Sequence, residues 1–470
     1  MSSDNKNKNS ISHKNSWNVI GELEEKIIFS ISEKYKTFLN ASKTEREAFS
    51  EIKKEAVLNG FASFEELLKK GDKLTAESKI YFTNRNKSII LCKLGNDLLE
   101  TGFSLIASHI DSPRLDLKPN PLYEENDLAF LKTHYYGGIK KYQWTAIPLA
   151  IHGVITNGNG EKITITVGED EGDPIFYITD MLPHLSKDQN EKKLGEAITG
   201  EGLNILIGSR PRNSSEDCKK VKNNILDILN SKYQIKESDF SSAELEIVPS
   251  FKARDIGFDR SLIAGYGHDD RACAFASLEG FFSSVINKKT QMLYFSDKEE
   301  TGSSGNTGAS SAFFSNSIAE LIAMQTDYNE IKLRRSLSKS KVISADVGVP
   351  IDPNYPEITD KLNAATIGHG THLVKYSGVR GKSGSSDANS EYLSEIISIF
   401  NKNNVNWQIG EMGKIDQGGG GTIAYILANL NADVIDCGVP VLSMHAPYEA
   451  ISKADLYMTY RAYKAFLENY

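Results

Sequence analysis

Four apolar runs in this chain each lead to a side chain that can hold a metal or move a proton. Leu105-Ile106-Ala107-Ser108 runs into His109, and Met292-Leu293-Tyr294-Phe295 leads to Glu299-Glu300. Val342-Ile343-Ser344-Ala345 ends in Asp346, and Val441-Leu442-Ser443-Met444 ends in His445. In open α/β sheets ligands bind outside the carboxyl ends of the strands, so these four ends can converge on one crevice. Two imidazoles with several carboxylates form a donor set suited to zinc, cobalt or manganese. A single His after a strand is usually a hydrogen-bonded loop residue; four such ends together favour a metal site.

Neighbouring residues extend this chemistry. Asp111 lies two positions after His109 in ASHIDSP. A carboxylate at that spacing can accept the second ring N–H of a ligating His and fix its tautomer, or start a turn before Ser112-Pro113. Glu299 and Glu300 are adjacent, and neighbouring extended side chains point apart, so one can meet a metal while the other faces substrate as general base. A glycosidase pair needs carboxyls facing across a bond, which adjacent residues provide poorly. Asp269 and Asp270 stand just before an expected helix, where either can bridge a metal pair or serve as N-cap. Gly418 to Gly421 precede a helix expected from Thr422, but no Gly-Lys-Ser/Thr follows, so this is not a P-loop. His369 and His372 read as pocket or loop residues, not ligands.

The elements that must position these groups follow from periodicity. Val19, Ile20, Leu23, Ile27, Ile31, Tyr35 and Phe38 recur at steps of three and four, which predicts one buried helical face. Thr44 with Glu47 and Ser63 with Glu66 predict two capping boxes, and Gly60 and Gly71 predict helix ends. From Asp255 onward strands and helices alternate, the pattern of a mostly parallel sheet covered by helices on both faces. The stretch from Lys118 to Arg254 is different: β-rich, then polar, with Asn157-Gly158-Asn159-Gly160 as a hairpin turn and one helix near Lys219 to Leu229. The expected organisation is a polar tail (1–16), an α/β domain in two parts (17–117 and 255–470) and a β-rich insert (118–254).

Composition narrows the class. The 470 residues carry 54 Lys and Arg against 62 Asp and Glu, a formal charge of −8, which argues against nucleic acid as the main partner. No run of 18 apolar residues predicts a membrane span. Cys92, Cys218, Cys273 and Cys437 lack CxxC spacing, so a reducing, cytoplasmic setting is expected.

Taken together, FSLIASHIDSPRLDLKP, GHDDRACAF, DKEETGSSG, ISADVGVPIDPNYPE, GGGGTIAYILA and LSMHAPYEAISKADLYMTY resemble the M18 family of metalloaminopeptidases. This is the group of aspartyl aminopeptidases and vacuolar aminopeptidase I, and the resemblance covers nearly the whole chain after the tail. It implies hydrolysis of the N-terminal residue of peptides by two zinc ions per subunit, with Co2+ or Mn2+ as substitutes. By this resemblance His109 and Glu300 serve one metal, Asp346 and His445 the other, and Asp269 bridges. Glu299 is then the general base, and Asp111 the carboxylate that backs the ligating His109. The insert resembles the family's dimerisation domain, implying a homo-oligomer built from dimers, a tetrahedral dodecamer. His184 of the insert (DMLPHLSK) matches a histidine associated with the active site, as a further zinc contact or as a substrate contact from a neighbouring subunit. Lys375 matches the Lys that pairs with an acidic substrate side chain, whereas Val349 stands where the animal aspartyl enzymes have His. Related co-catalytic zinc deacylases or carboxypeptidases, and a non-catalytic oligomeric binding protein, are the competing classes.

Overall fold

Strands that are apolar on both faces must be covered on both faces, and this requirement organises the molecule. The computed structural model describes residues 14–213, 218–380 and 383–470. In chain order its central sheet comprises β1 (Ala62–Ser63), β2 (Lys79–Asn84), β3 (Ser88–Lys93), β4 (Ser104–His109), β5 (Gln291–Ser296), β6 (Lys341–Ser344), β7 (Thr371–Val374), β8 (Trp407–Ile409) and β9 (Asp433–Gly438). The spatial order is β1-β2-β3-β5-β4-β6-β9-β7-β8. The middle strands β5, β4, β6 and β9 are mutually parallel, whereas β2, β3 and β5 pair antiparallel, as do β9 and β7.

Alternation along these strands feeds two cores. Ile106, Leu293, Ile343 and Ile435 enter one layer, with the helices Glu22–Asn40, Glu45–Leu58, His268–Ser283, Ser390–Lys402 and Lys453–Asn469. Leu105, Met292, Val342 and Val434 enter the opposite layer, against Phe313–Gln325, Glu330–Ser338 and Ala424–Ala428. Helix His268–Ser283 is buried nearly all round, and its small residues (Ala272, Ala274, Ala276) allow close packing against β4 and β5. Gly267, which precedes it, has φ +79°, and a Cβ there would meet Arg271 Nη1 at 1.9 Å. Only glycine suits that corner.

Residues between β4 and this helix build a six-stranded antiparallel sheet from Arg114–Glu125, Leu128–Tyr136, Leu149–Thr156, Lys162–Val167, Ile205–Gly208 and Glu244–Pro249. It has its own core around Trp144, Ile151 and Ile247, partly covered by helix Lys220–Tyr233. Residues 157–161 close a hairpin in which Asn157 Oδ1 accepts N–H bonds from Asn159 and Glu161. A small antiparallel sheet (Arg254–Ile256, Leu262–Gly265, Glu449–Ser452, Val441–Leu442) lies beside the central one.

Three local expectations need correction. The capping box at Thr44 and Glu47 forms, a feature that contributes about 1 kcal/mol, but Ser63 caps its helix without a side-chain hydrogen bond. The first helix starts at Glu22, after Val19 and Ile20, and its buried positions are Ile28, Ser32, Tyr35, Phe38 and Leu39, while Leu23 and Ile27 are exposed. Ile28 packs on Tyr457 and Met458, so the buried face is offset from the one the spacing predicts near the start. Residues 1–13 of the expected tail lie outside the described residues, and Ser16 is buried, its N–H donating to the Gly368 carbonyl at 2.6 Å. No helix among the described residues is long and apolar enough to cross a membrane.

Candidate metal centre

The carboxyl ends of β4, β5 and β6 deliver three of the four expected groups. His109 is the last residue of β4; Glu299 and Glu300 follow β5 in a short turn (Glu299–Thr301); Asp346 lies two residues past β6. This turn corrects the extended pair expected from sequence, since Lys298 enters it at φ +65°. The fourth group does not come from the central sheet. Val441–Leu442 belongs to the small antiparallel sheet, and His445 sits three residues beyond it at φ +65°. Asp269 comes from the corner after Gly267, before regular helical angles begin.

Asp269 stands between the two imidazoles. His109 Nε2 lies 3.2 Å from Asp269 Oδ1 and 3.8 Å from Asp346 Oδ1. His445 Nε2 lies 3.2 Å from Asp269 Oδ2 and 3.5 Å from Glu300 Oε2. Among the described residues three sets have their donor atoms within 4.8 Å of one another: His109–Asp269–Asp346, His445–Asp269–Glu300 and His109–Glu299–Glu300. β4 borders both β5 and β6, so His109 emerges between Asp346 on one side and Glu299 and Glu300 on the other. Glu299 Oε2 lies 4.0 Å from His109 Nε2, facing the same centre. Between the two candidates left open at the helix entrance, Asp269 reaches the imidazoles, whereas both Asp270 oxygens are buried without a hydrogen-bond partner.

Two buried carboxylates outside these donor sets hold the frame. Asp111 Oδ1 lies 3.3 Å from His109 Nδ1 and accepts the Glu299 N–H at 3.1 Å. Its Oδ2 accepts the Glu300 N–H at 3.2 Å and the Tyr136 hydroxyl at 2.7 Å. Glu449 accepts the backbone N–H of Asp269 at 3.1 Å and that of His445 at 2.7 Å. His445 Nδ1 lies 2.8 Å from the Gly138 carbonyl. With Nδ1 of each ring at a backbone carbonyl (Asp111 at 3.1 Å for His109, Gly138 for His445), both imidazoles turn Nε2 to Asp269, whose carboxylate accepts from them. Arg271, fully buried, ties the loop after His109 to this corner through Ser112 Oγ at 2.8 Å and the Ile110 carbonyl. Sequence spacing signalled Asp111; Glu449, four residues after His445 in HAPYE, was missed, and Tyr136 had no local signal.

The electrostatics are those of an anion cluster taken out of water. Burial, reinforced by Asp346, Asp111 and Asp269 against the pull of His109, pushes Glu299 up to about 8. Burial and the Asp269 charge hold Glu300 well above the usual carboxylate range. Burial also raises Asp346. Burial works against charge on His445 too, but its Asp269 contact and the Glu300 charge raise it to about 11. Asp269 is held low, burial being outweighed by hydrogen bonds from both imidazoles, and Asp111 is also lowered, against burial, by His109 and Tyr136. Desolvated carboxylates at this density need positive charge beyond two imidazoles, and Glu300 Oε1 is buried without a hydrogen-bond partner. The mixed nitrogen and oxygen donors fit divalent zinc or its close relatives.

A cleft of about 580 Å³ exposes Asp269, Glu299, Glu300, Asp346 and His445, with Gly138 and Tyr142 of the insert on its rim. A cavity of about 390 Å³ adjoins it beyond Asp346, walled by Val347, Val349, Val374, Met412 and Gly418 to Gly420. Arg380 is the one Lys or Arg among its described lining residues. Lys375 is half-buried after β7, with Nζ 4.9 Å from the centre of the Tyr376 ring, and does not line this cavity. His184 is exposed in the turn Pro183–Leu185 and joins none of the donor sets of the described residues.

Residues 38–467 match the family described as aminopeptidase I zinc metalloprotease (M18). The probable M18 family aminopeptidase 1 of Clostridium acetobutylicum is 52% identical over 457 residues, covering 97% of this chain and 98% of that one. The crystal structure of the M18 aminopeptidase of Thermotoga maritima superposes with a TM-score of 0.94 at 42% identity, covering 98% of this chain and 100% of that one. Aminopeptidase I of Clostridium acetobutylicum superposes with a TM-score of 0.92 at 48% identity, covering 97% and 99%. The chain belongs to the M18 family of aminopeptidases, zinc metalloproteases that hydrolyse peptide bonds.

Proposed function

We propose that this aminopeptidase releases single N-terminal residues at a two-metal centre, with zinc as the resident ion. His109, Asp269 and Asp346 would hold one ion, and His445, Asp269 and Glu300 the other. The observation that carries this reading is Asp269, whose two oxygens each lie 3.2 Å from a different imidazole. Bound there, the metal pair supplies a Lewis acid for the scissile carbonyl and lowers the pKa of the attacking water. Glu299 takes the proton from that water and returns one to the leaving amine; a carboxylate shifted upward by burial suits both directions. Asp111 keeps Glu299 and Glu300 in place through their backbone N–H groups and fixes the His109 tautomer. The free α-amine of the substrate binds among the carboxylates of the cleft, which limits cleavage to the first residue.

The cavity beyond Asp346 receives the side chain of that residue. Its aliphatic walls favour an apolar group, while Arg380 and the nearby Lys375 offer charge to an acidic one. The insert serves as the dimerisation domain of a homo-oligomer, a tetrahedral dodecamer in which its exposed Ile175, Met181, Leu182, Leu185 and Leu194 become covered. His184, in the same exposed segment, then reaches a neighbouring subunit's site. Sedimentation tests the assembly, and a monomer at working concentration contradicts it.

The deciding assay compares free and N-acetylated dipeptides beginning with Asp, Glu, Leu or Ala. It uses metal-loaded protein, chelated protein and Glu299→Gln. Cleavage of the free series only, abolished by chelator and reduced about 10²- to 10⁴-fold in Glu299→Gln, is expected. Cleavage of the acetylated series would instead mark a deacylase or carboxypeptidase. The Asp-to-Leu ratio in wild type, Arg380→Ala and Lys375→Ala assigns the side-chain preference.

A further inference from the structure

Neither Asp269 nor His445 is held by regular secondary structure. Asp269 has φ −83° and ψ 106° ahead of its helix, and His445 sits at φ +65° in a loop. Their side chains nevertheless meet at 3.2 Å, although 176 residues of chain separate them. Glu449 joins them. It is buried, with 2% of its surface exposed, and uses one carboxylate oxygen on each partner: Oε2 on the Asp269 N–H and Oε1 on the His445 N–H. Its own position is fixed because it opens strand Glu449–Ser452, pairing with Gly265 at the end of Leu262–Gly265, two residues before Gly267. The strand that leads to Asp269 and the strand that follows His445 are thus neighbours, with the Glu449 carboxylate tying the loops at their ends.

We infer that Glu449 is a positioning residue of the metal centre, presenting Asp269 Oδ2 and His445 Nε2 together by holding the two backbones on one carboxylate. The inference rests on the metal-site reading above. A buried carboxylate can also do no more than close loops, and the molecule contains such a case. Asp455 accepts the N–H groups of Gly368 and Gly370, both at 2.7 Å, and contacts none of the donor residues. Asp455→Asn is therefore the control for Glu449→Gln. Each replacement is isosteric, and each leaves one carbonyl oxygen where two acceptors stood.

The test titrates the metal-free, full-length protein with cobalt(II) in competition with a chelator of known affinity, and records the absorption spectrum of each equivalent. Thermal unfolding of the same samples reports structural damage separately. For Glu449→Gln we expect one of two cobalt equivalents to bind roughly 10- to 100-fold more weakly with an altered spectrum, the scale on which an outer partner of a ligand acts. Glu449→Asp keeps two acceptors on a shorter stem and should fall between. Asp455→Asn should lower the unfolding temperature with wild-type cobalt affinity and spectrum. Wild-type binding of both equivalents by folded Glu449→Gln overturns the inference, as does an equal loss of cobalt in Asp455→Asn. If Glu449→Gln does not fold, wild-type cobalt binding by Glu449→Asp overturns it. A wild type that binds no cobalt removes the metal reading itself, an outcome the titration separates from the others.

Discussion

The two halves of the centre are built differently. The His109 half is rigid by construction: its imidazole ends a fully buried strand, and its neighbour Asp346 follows the adjacent parallel strand. The His445 half depends on loops, with an imidazole whose side chain is 34% exposed and whose backbone is left-handed. In both halves a carboxylate outside the donor set supplies order, Asp111 for one and Glu449 for the other. Both carboxylates span distant segments: Asp111 ties the end of β4 to the turn holding Glu299 and Glu300, and Glu449 ties the Asp269 corner to the His445 loop. The difference lies in what is tied: one carboxylate starts from a strand end, whereas the other joins two segments outside regular structure.

The substitution that most severely breaks the comparison is Asp269→Asn, because Asp269 is shared. Both halves should lose metal, each by more than the roughly 10- to 100-fold that loss of an outer partner costs, and activity should vanish with them. Equilibrium metal titration checks this, and loss of one equivalent alone would show that Asp269 is not shared. Next is Asp111→Asn, which leaves one side-chain oxygen for the two N–H groups, while the His109 ring keeps the Asp111 carbonyl. Metal affinity should fall roughly 10- to 100-fold, including in the His445 half, because Asp111 holds the Glu300 backbone, and kcat should fall because Glu299 is displaced. Steady-state kinetics on metal-saturated protein separates the two effects.

Proton release sharpens the contrast. In metal-free protein His445 is raised to about 11, so it is protonated at neutral pH, and ion binding at Nε2 must displace that proton. The sign follows: apparent affinity rises with pH, by about tenfold per unit for each proton displaced, until the folded pKa is passed. Linkage gives the matching stability term, since a raised His pKa stabilises metal-free protein fully below about 6.5 and this is lost as pH rises through about 11. Calorimetric titration in two buffers of different ionisation enthalpy counts the protons. The smallest effect belongs to Tyr136→Phe, which removes one of several donors to Asp111. It should weaken metal binding by less than about tenfold.

Much of this was legible in local sequence. The chain signalled His109 with Asp111 by their spacing, the strand ends by their apolar runs, and the covered sheet by its alternation. The pairing of donors was not legible, because sequence order does not say that β4 lies between β5 and β6. For the same reason His445 was assigned to a central strand, although its strand belongs to the small sheet. Glu449 escaped because its importance lies in a bond to Asp269, 180 residues away. The apolar residues Leu23 and Ile27 show the opposite limit: helical spacing located the helix, yet these two side chains are exposed on a single chain.

The central claim is that Asp269 divides the donors into two sets of three. Anomalous diffraction at the zinc edge from zinc-loaded crystals tests it directly. The account predicts two peaks, one enclosed by His109, Asp269 and Asp346 and the other by His445, Asp269 and Glu300. A single peak, or a peak joining His109 to Glu300 without Asp346, would contradict it.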